Sequence, residues 1–158
     1  MTDASPADQR DTAIEVAVRS TDMDADRNVN NAVYFQYFEQ SRLEHLRRYA
    51  VIGWPPRVDA GRPQFALVQT EARFHAPAIH PDVLVVWTRT ASIGTTSFSL
   101  AYQIRRRSDG TAICEGRSVQ VWLDANGRPT AIAPAARQAL ERSRHPEITA
   151  TDDAHGDD

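Results

Sequence analysis

Hydrophobic and polar positions change rhythm along the chain. Ile14, Val16 and Val18 alternate with Glu15, Ala17 and Arg19, the period of a half-buried strand. From Ala32 to about Tyr49 the period is helical, with no Gly or Pro to interrupt it. Gln36, Gln40, Glu44 and Arg47 form one polar stripe. Phe35, Phe38, Leu46 and Tyr49 lie on another face, flanked by Tyr34, Tyr37 and Leu43. So wide an apolar band predicts a long helix covered on most sides. Gly53-Trp54-Pro55-Pro56 closes it, because proline cannot continue a helix.

After a polar connection from Arg57 to Pro63 the period returns to two. Ala66, Val68, Thr70, Ala72 and Phe74 make one face of a strand over Phe65–Phe74, with Gln69, Glu71 and Arg73 on the other. Pro77 and Pro81-Asp82 mark a turn, Val83 to Ala91 a third strand, and Gly94 the next turn. Phe98, Leu100, Tyr102 and Ile104 alternate with Ser99, Ala101 and Gln103 in a fourth. Ser108-Asp109-Gly110 reads as a hairpin turn, and Ile113 to Leu123 as a fifth strand. Asp124-Ala125-Asn126-Gly127 turns the chain towards a short strand at Arg128 to Ile132. Pro134 opens a brief terminal helix over Ala135 to Glu141. One long helix followed by hairpin-connected strands is α+β: a curved antiparallel sheet of about five strands wrapped around the helix.

At 158 residues the chain has the length of a single domain able to bury a core without metals or disulfides. Its domain spans residues 13–142, after a disordered lead at 1–12 and before a disordered acidic tail at 143–158. The net charge of -3 argues for neither nucleic acid nor a membrane surface as partner. All 18 basic residues are arginine, which excludes a lysine Schiff base and a P-loop lysine. The single cysteine, Cys114, has no partner for an internal disulfide and falls in a strand, where a thiol behaves as a small hydrophobe. The polar N-terminus lacks an apolar leader and no run reaches membrane-spanning length, so a cytoplasmic location is expected. The five histidines are scattered without ligand spacing, and no metal is expected.

The candidate chemistry lies between the first strand and the helix, in Asp22-Met23-Asp24-Ala25-Asp26-Arg27-Asn28-Val29-Asn30-Asn31-Ala32-Val33-Tyr34. This stretch resembles the hot-dog thioesterases of the 4-hydroxybenzoyl-CoA thioesterase type. Their signature is a D-x-D-x-x-G-H-V-N-N loop, then Tyr and an aromatic helix carrying Glu and Arg. Tyr34, Glu39 and Arg42 fall where that helix expects them. Phe74-His75-Ala76-Pro77 is similar to the strand end of the family, and Gly127-Arg128-Pro129 matches near the end. The resemblance covers about residues 14 to 142. It implies a hot-dog fold, hydrolysis of acyl-CoA or acyl-carrier-protein thioesters without metal or cofactor, and a homodimer or homotetramer with sites between paired subunits. It places the catalytic carboxylate on Asp24. Two positions depart from the signature: its Gly-His pair is Arg27-Asn28 here, which removes a residue suited to positive φ and a possible proton carrier.

A thioester has a good leaving group, so its hydrolysis needs an activated nucleophile and a place for the oxyanion. Asp24 can act as general base on water or attack directly to form an anhydride. The first N–H groups of the helix, aided by its dipole, can hold the carbonyl oxygen. Asn30 or Asn31 can cap that helix, and with Tyr34 they are the expected substrate contacts. The plainer reading of Asp22, Asp24 and Asp26 is that they only cap and turn the loop, with Asp22 a structural hydrogen-bonder. Glu39 is expected to pair with Arg42 on the helix surface. The Arg105-Arg106-Arg107 run reads as a solvated edge, with a CoA phosphate as the alternative. Two rivals to hydrolysis remain: a non-catalytic acyl-CoA-binding hot-dog protein, and a hot-dog hydratase or dehydratase, which would want a histidine where Asn28 stands.

Overall fold

The computed structural model describes residues 9–53 and 64–144. In chain order it contains β1 (Thr12–Ala17), a 3-10 turn at Ser20–Asp22, α1 (Val33–Arg48), β2 (Phe65–Phe74), β3 (Val83–Ile93), β4 (Ser97–Arg106), β5 (Ala112–Trp122) and α2 (Pro134–Ser143). The five strands form one sheet in the order β1-β3-β4-β5-β2, every pairing antiparallel. Two hairpins build the centre, while β1 and β2 join from opposite edges. The long helix lies against the inner face of the sheet, which is the hot-dog arrangement expected. Residues 54–63, with the prolines after the helix and most of the polar connection, lie outside the described residues. So do most of the lead and tail.

Helix α1 ends before the prolines, on a motif of its own. Ala50 takes a left-handed φ of 57°, the Ala50 N–H bonds Arg47 O at 3.0 Å, and the Val51 N–H bonds Leu46 O at 2.9 Å. This is a Schellman cap built on alanine rather than glycine. Gln36, Gln40 and Arg47 face solvent, as their stripe predicts, and Glu44 pairs with Arg47.

The buried face runs Tyr34, Tyr37, Phe38, Ser41, Arg42, His45 and Leu46. Its aromatic half sits where the sheet makes room. Phe38 stacks on Tyr102 with centroids 4.5 Å apart, and Gly116 of β5 lies directly beneath its ring. A Cβ at Gly116 would stand 2.5 Å from Phe38 Cε2 and 2.6 Å from Glu71 O. Glycine here is required by close approach, not by backbone conformation.

The other half of the buried face is polar, which the apolar pattern did not foresee. Ser41 Oγ meets Thr88 Oγ1 at 2.5 Å. His45 is fully buried, with Nδ1 2.7 Å from Thr12 Oγ1 and Nε2 3.0 Å from Thr90 Oγ1. Thr90 Oγ1 continues to Ser143 Oγ at 2.6 Å, which donates to Leu140 O, so one imidazole joins β1, α1, β3 and α2. Burial pushes the His45 pKa down to about 4, helped by the neighbouring Arg48 charge, and holds the ring neutral.

Strand β2 departs from simple alternation. Its register against β5 shifts between Leu67 and Gln69, a bulge at Val68. Phe65 and Leu67 therefore share the inner face with Thr70, Ala72 and Phe74, while Ala66 and Val68 do not continue that series. Residues 128–132 form no strand; a single bridge joins Leu123 and Pro129. The terminal helix starts at Pro134 as expected and buries Ala136, Ala139, Leu140 and Ser143.

Candidate active site

The loop between β1 and α1 is anchored by Asp22, which is 2% exposed. Its carboxylate accepts the Arg19 N–H at 2.9 Å, the Arg19 guanidinium at 3.2 and 2.9 Å, and Tyr37 Oη at 2.8 Å. Burial alone would raise the Asp22 pKa; these hydrogen bonds and the Arg19 charge outweigh it and hold the group below the usual carboxylate range. The Asp22 carbonyl also accepts the Asn30 N–H at 2.9 Å, which fastens the two ends of the loop together.

Between those ends the chain makes a tight hairpin. Met23 bridges Val29, the Asp24 N–H bonds Asn28 O at 2.9 Å, and the Arg27 N–H bonds Asp24 O at 3.0 Å. Arg27 adopts φ 62°, so the left-handed position that suits glycine is kept with an arginine in it. Asp24 stands exposed at the first corner, with Oδ1 accepting the Asp26 N–H at 2.9 Å. Among the described residues no other group bonds its carboxylate.

Asn30 closes the turn that leads into α1, whose own N-cap, Ala32, has no side-chain cap. Asn30 Oδ1 accepts the Ala32 N–H at 2.9 Å and its carbonyl the Val33 N–H at 2.8 Å. Asn31 faces a cavity of about 280 Å³ at the start of α1. Asn28, Val29 and Tyr34 line the same cavity on one side, and Phe74, His75, Ala76 and Pro77 at the end of β2 on the other. Tyr34 is 2% exposed, its ring 5.3 Å from Phe74, and burial raises its pKa to about 12. It is a neutral wall at physiological pH, not a proton donor by acidity.

Of the residues singled out in the sequence, Asn31 and Tyr34 share the cavity wall, and Asp24 and Asn30 lie in the loop that frames it. His75 and Asn28 were not singled out as contacts. The signal for His75 was its place at the strand end, in the Phe-His-Ala-Pro segment that resembles the family. A second cavity of about 370 Å³ lies further along α1, lined by Phe35, Gln36, Glu39, Arg42, Leu43, Phe65 and Leu67.

One expected charge pair is not formed, and the alternative reading of the arginine run finds its side chains already engaged. Glu39 does not pair with Arg42: Arg42 turns inward, 7% exposed, and donates through Nη1 to Tyr102 Oη at 3.3 Å. The arginine run is not left free for a phosphate. Arg106 is held by Asp82, Asp109 and Pro77 O, Arg107 by Glu15, and Arg105 donates to Gly110 O. Among the described residues no group of three or more His, Cys, Asp or Glu could hold a metal ion, and no helix is long and apolar enough to cross a membrane.

A carboxylate-bearing hairpin that leads into a sheet-wrapped helix, with cavities along that helix, defines a hot-dog protein with a candidate site at the helix start. The model of the thioesterase-like superfamily matches residues 18–140, and the chain belongs to that family. It is similar to a chloroplastic acyl-acyl carrier protein thioesterase of Arabidopsis thaliana, 27% identical over 124 residues. That match covers 78% of this chain and 64% of the plant protein, so the chain spans a little under two thirds of that relative. A long-chain acyl-CoA thioesterase of Escherichia coli (strain K12) is 22% identical over 129 residues, 81% of this chain and 96% of that one. Among solved structures, a thioesterase of Thermus thermophilus complexed with coenzyme A and Zn matches with a TM-score of 0.70 and 28% identity. It covers 84% of this chain and 92% of the other.

Proposed function

We propose that the protein hydrolyses an acyl thioester, of CoA or acyl carrier protein, to the free acid and the thiol. The observation that carries this reading is the cavity at the N-terminus of α1, framed by the Asp24 hairpin in a chain of the thioesterase-like superfamily. The thioester carbonyl enters beside Asn31. Asp24 either takes a proton from the attacking water or itself attacks the carbonyl carbon. The carbonyl electrons move to oxygen, where N–H groups of the first helical turn receive the charge. The C–S bond then breaks, and the thiolate leaves with the proton held at Asp24, or the anhydride left behind is cleaved by water. Asn30 keeps the helix start in place through the turn it closes.

The acting unit is a cytoplasmic homodimer or homotetramer. Strand β2 supports this: it is a sheet edge ten residues long with Leu67, Val68 and Phe74 exposed at 44, 58 and 42%. An unpaired edge of that length, with apolar side chains exposed beside it, is a template for pairing with another chain.

The test is thiol release from aryl-, short-, medium- and long-chain acyl-CoAs by wild type and Asp24→Asn. Turnover on at least one thioester should fall by about a hundredfold or more in the variant. Tight binding of acyl-CoA by a folded protein that never releases thiol would instead make it a binding protein, a reading that Asn28 in the cavity wall favours. Turnover indifferent to Asp24→Asn would keep the reaction and discard the site.

A further inference from the structure

Arg42 carries a charge that its surroundings do not answer. It is buried on the inner side of α1 and, among the described residues, makes no ion pair. Its Nε has no hydrogen-bond partner, and Nη1 reaches only the neutral Tyr102 hydroxyl. Tyr102 is bonded onward to Ser118, and Ser118 to the Gln120 amide, whose Oε1 is also without a partner although the residue is fully buried. A guanidinium taken out of water with no anion beside it is expensive to keep, so an unpaired one at a cavity points to an anion from outside the chain.

Arg42 lines the second cavity with the apolar Phe35, Leu43, Phe65 and Leu67 and the polar Gln36 and Glu39. Glu39, on the same wall, is exposed at the rim, where water screens it. Helix α1 runs antiparallel to β2: Tyr34 meets Phe74 at one end, and Leu43 shares a cavity with Phe65 at the other. Both cavities therefore lie between α1 and β2, one towards each end. Tyr34 and Arg42 are eight residues apart, about 12 Å at the helical rise.

We propose that the space between α1 and β2 selects a thioester whose acyl group bears a carboxylate at its far end, with Arg42 as the counter-ion that determines specificity. The inference rests on the thioesterase reading for the position of the carbonyl. An acyl chain lying along Phe35 and Leu67 would bring its terminal carboxylate to the guanidinium fork, which binds carboxylates through paired N–H donors.

The experiment compares decanoyl-CoA with its ω-carboxylated counterpart on wild type, Arg42→Met and Arg42→Lys. Wild type should favour the carboxylated thioester in kcat/KM by about tenfold or more. Arg42→Met should erase that margin without lowering Tm, and Arg42→Lys should keep part of it. Equal or better turnover of the neutral chain by wild type overturns the proposal, as does a margin that survives Arg42→Met. Dissociation of an oligomer by Arg42→Met, with acyl preference unchanged, gives the missing anion to a second copy and overturns it as well. If neither thioester is cleaved, the hydrolase reading fails by itself. Calorimetry with the two non-hydrolysable S-alkyl-CoA thioethers still decides the anion site, since the carboxylated analogue must bind wild type about tenfold tighter and lose that advantage in Arg42→Met.

Discussion

Asp22 and Asp24 stand two residues apart in opposite surroundings. Asp22 is enclosed by four donor contacts and cannot approach a substrate without dismantling the loop. Asp24 is exposed and gives one oxygen to its own turn. Alternation along D-x-D thus separates a structural carboxylate from an available one. Arg27 adds a cost at the same hairpin, because an L side chain at φ 62° is strained. Arg27→Gly should relieve it and stabilise the fold by about 1 kcal/mol after the extra backbone entropy of glycine. A rise of roughly 2–4 °C in Tm by calorimetry is the expected reading, and a fall would mean that the arginine side chain has a stabilising contact of its own.

At the scale of elements, the contact between α1 and the sheet turns on Gly116. Gly116→Ala drives a methyl into the Phe38 ring and the Glu71 carbonyl, an overpacking that should cost about 2 kcal/mol in urea unfolding. Adding Phe38→Leu should recover only part of it, since the backbone contact remains. Elements whose neighbours are local were legible in the sequence. Phe98, Leu100, Tyr102 and Ile104 are buried as written, with Ser99 buried beside them, and the turn at Asp109-Gly110 closes as expected, with Gly110 at φ 72°. What escaped was set by distant partners. Ser41, Arg42 and His45 look like surface residues on a helix, yet each bonds a strand residue more than forty positions away. The bulge at Val68 was equally hidden, because a register shift is a property of two strands while alternation is read from one. At the site, the loop was legible as a motif. The cavity wall contributed by His75 was not, since β2 reaches α1 only through the fold.

For the whole molecule the buried imidazole is a point of sensitivity to acid. His45 titrates near 6.5 when unfolded and near 4 in the fold, so between those values the unfolded chain binds the extra proton. Its contribution is complete above about pH 6.5 and is lost as the pH falls towards 4, about 3 kcal/mol in all. The urea midpoint of wild type should drop across that window, and in His45→Gln the slope should flatten. An unchanged slope would mean that the ring is already charged in the folded protein. Because His45 joins Thr12 to Thr90 and, through it, Ser143, its protonation strains four elements at once.

The strand order has a consequence for how the chain is made. Synthesis delivers β1, the site loop and the aromatic helix first, yet none of them has its sheet at that moment. β1 must wait for β3, and β2, which closes the cleft beside α1, must wait for β5. While the ribosome works through the three central strands, Tyr34, Tyr37 and Phe38 have no sheet to cover them. The segment read first is therefore the last to acquire its working shape, and a chain released before Trp122 would carry the whole motif with no site around it.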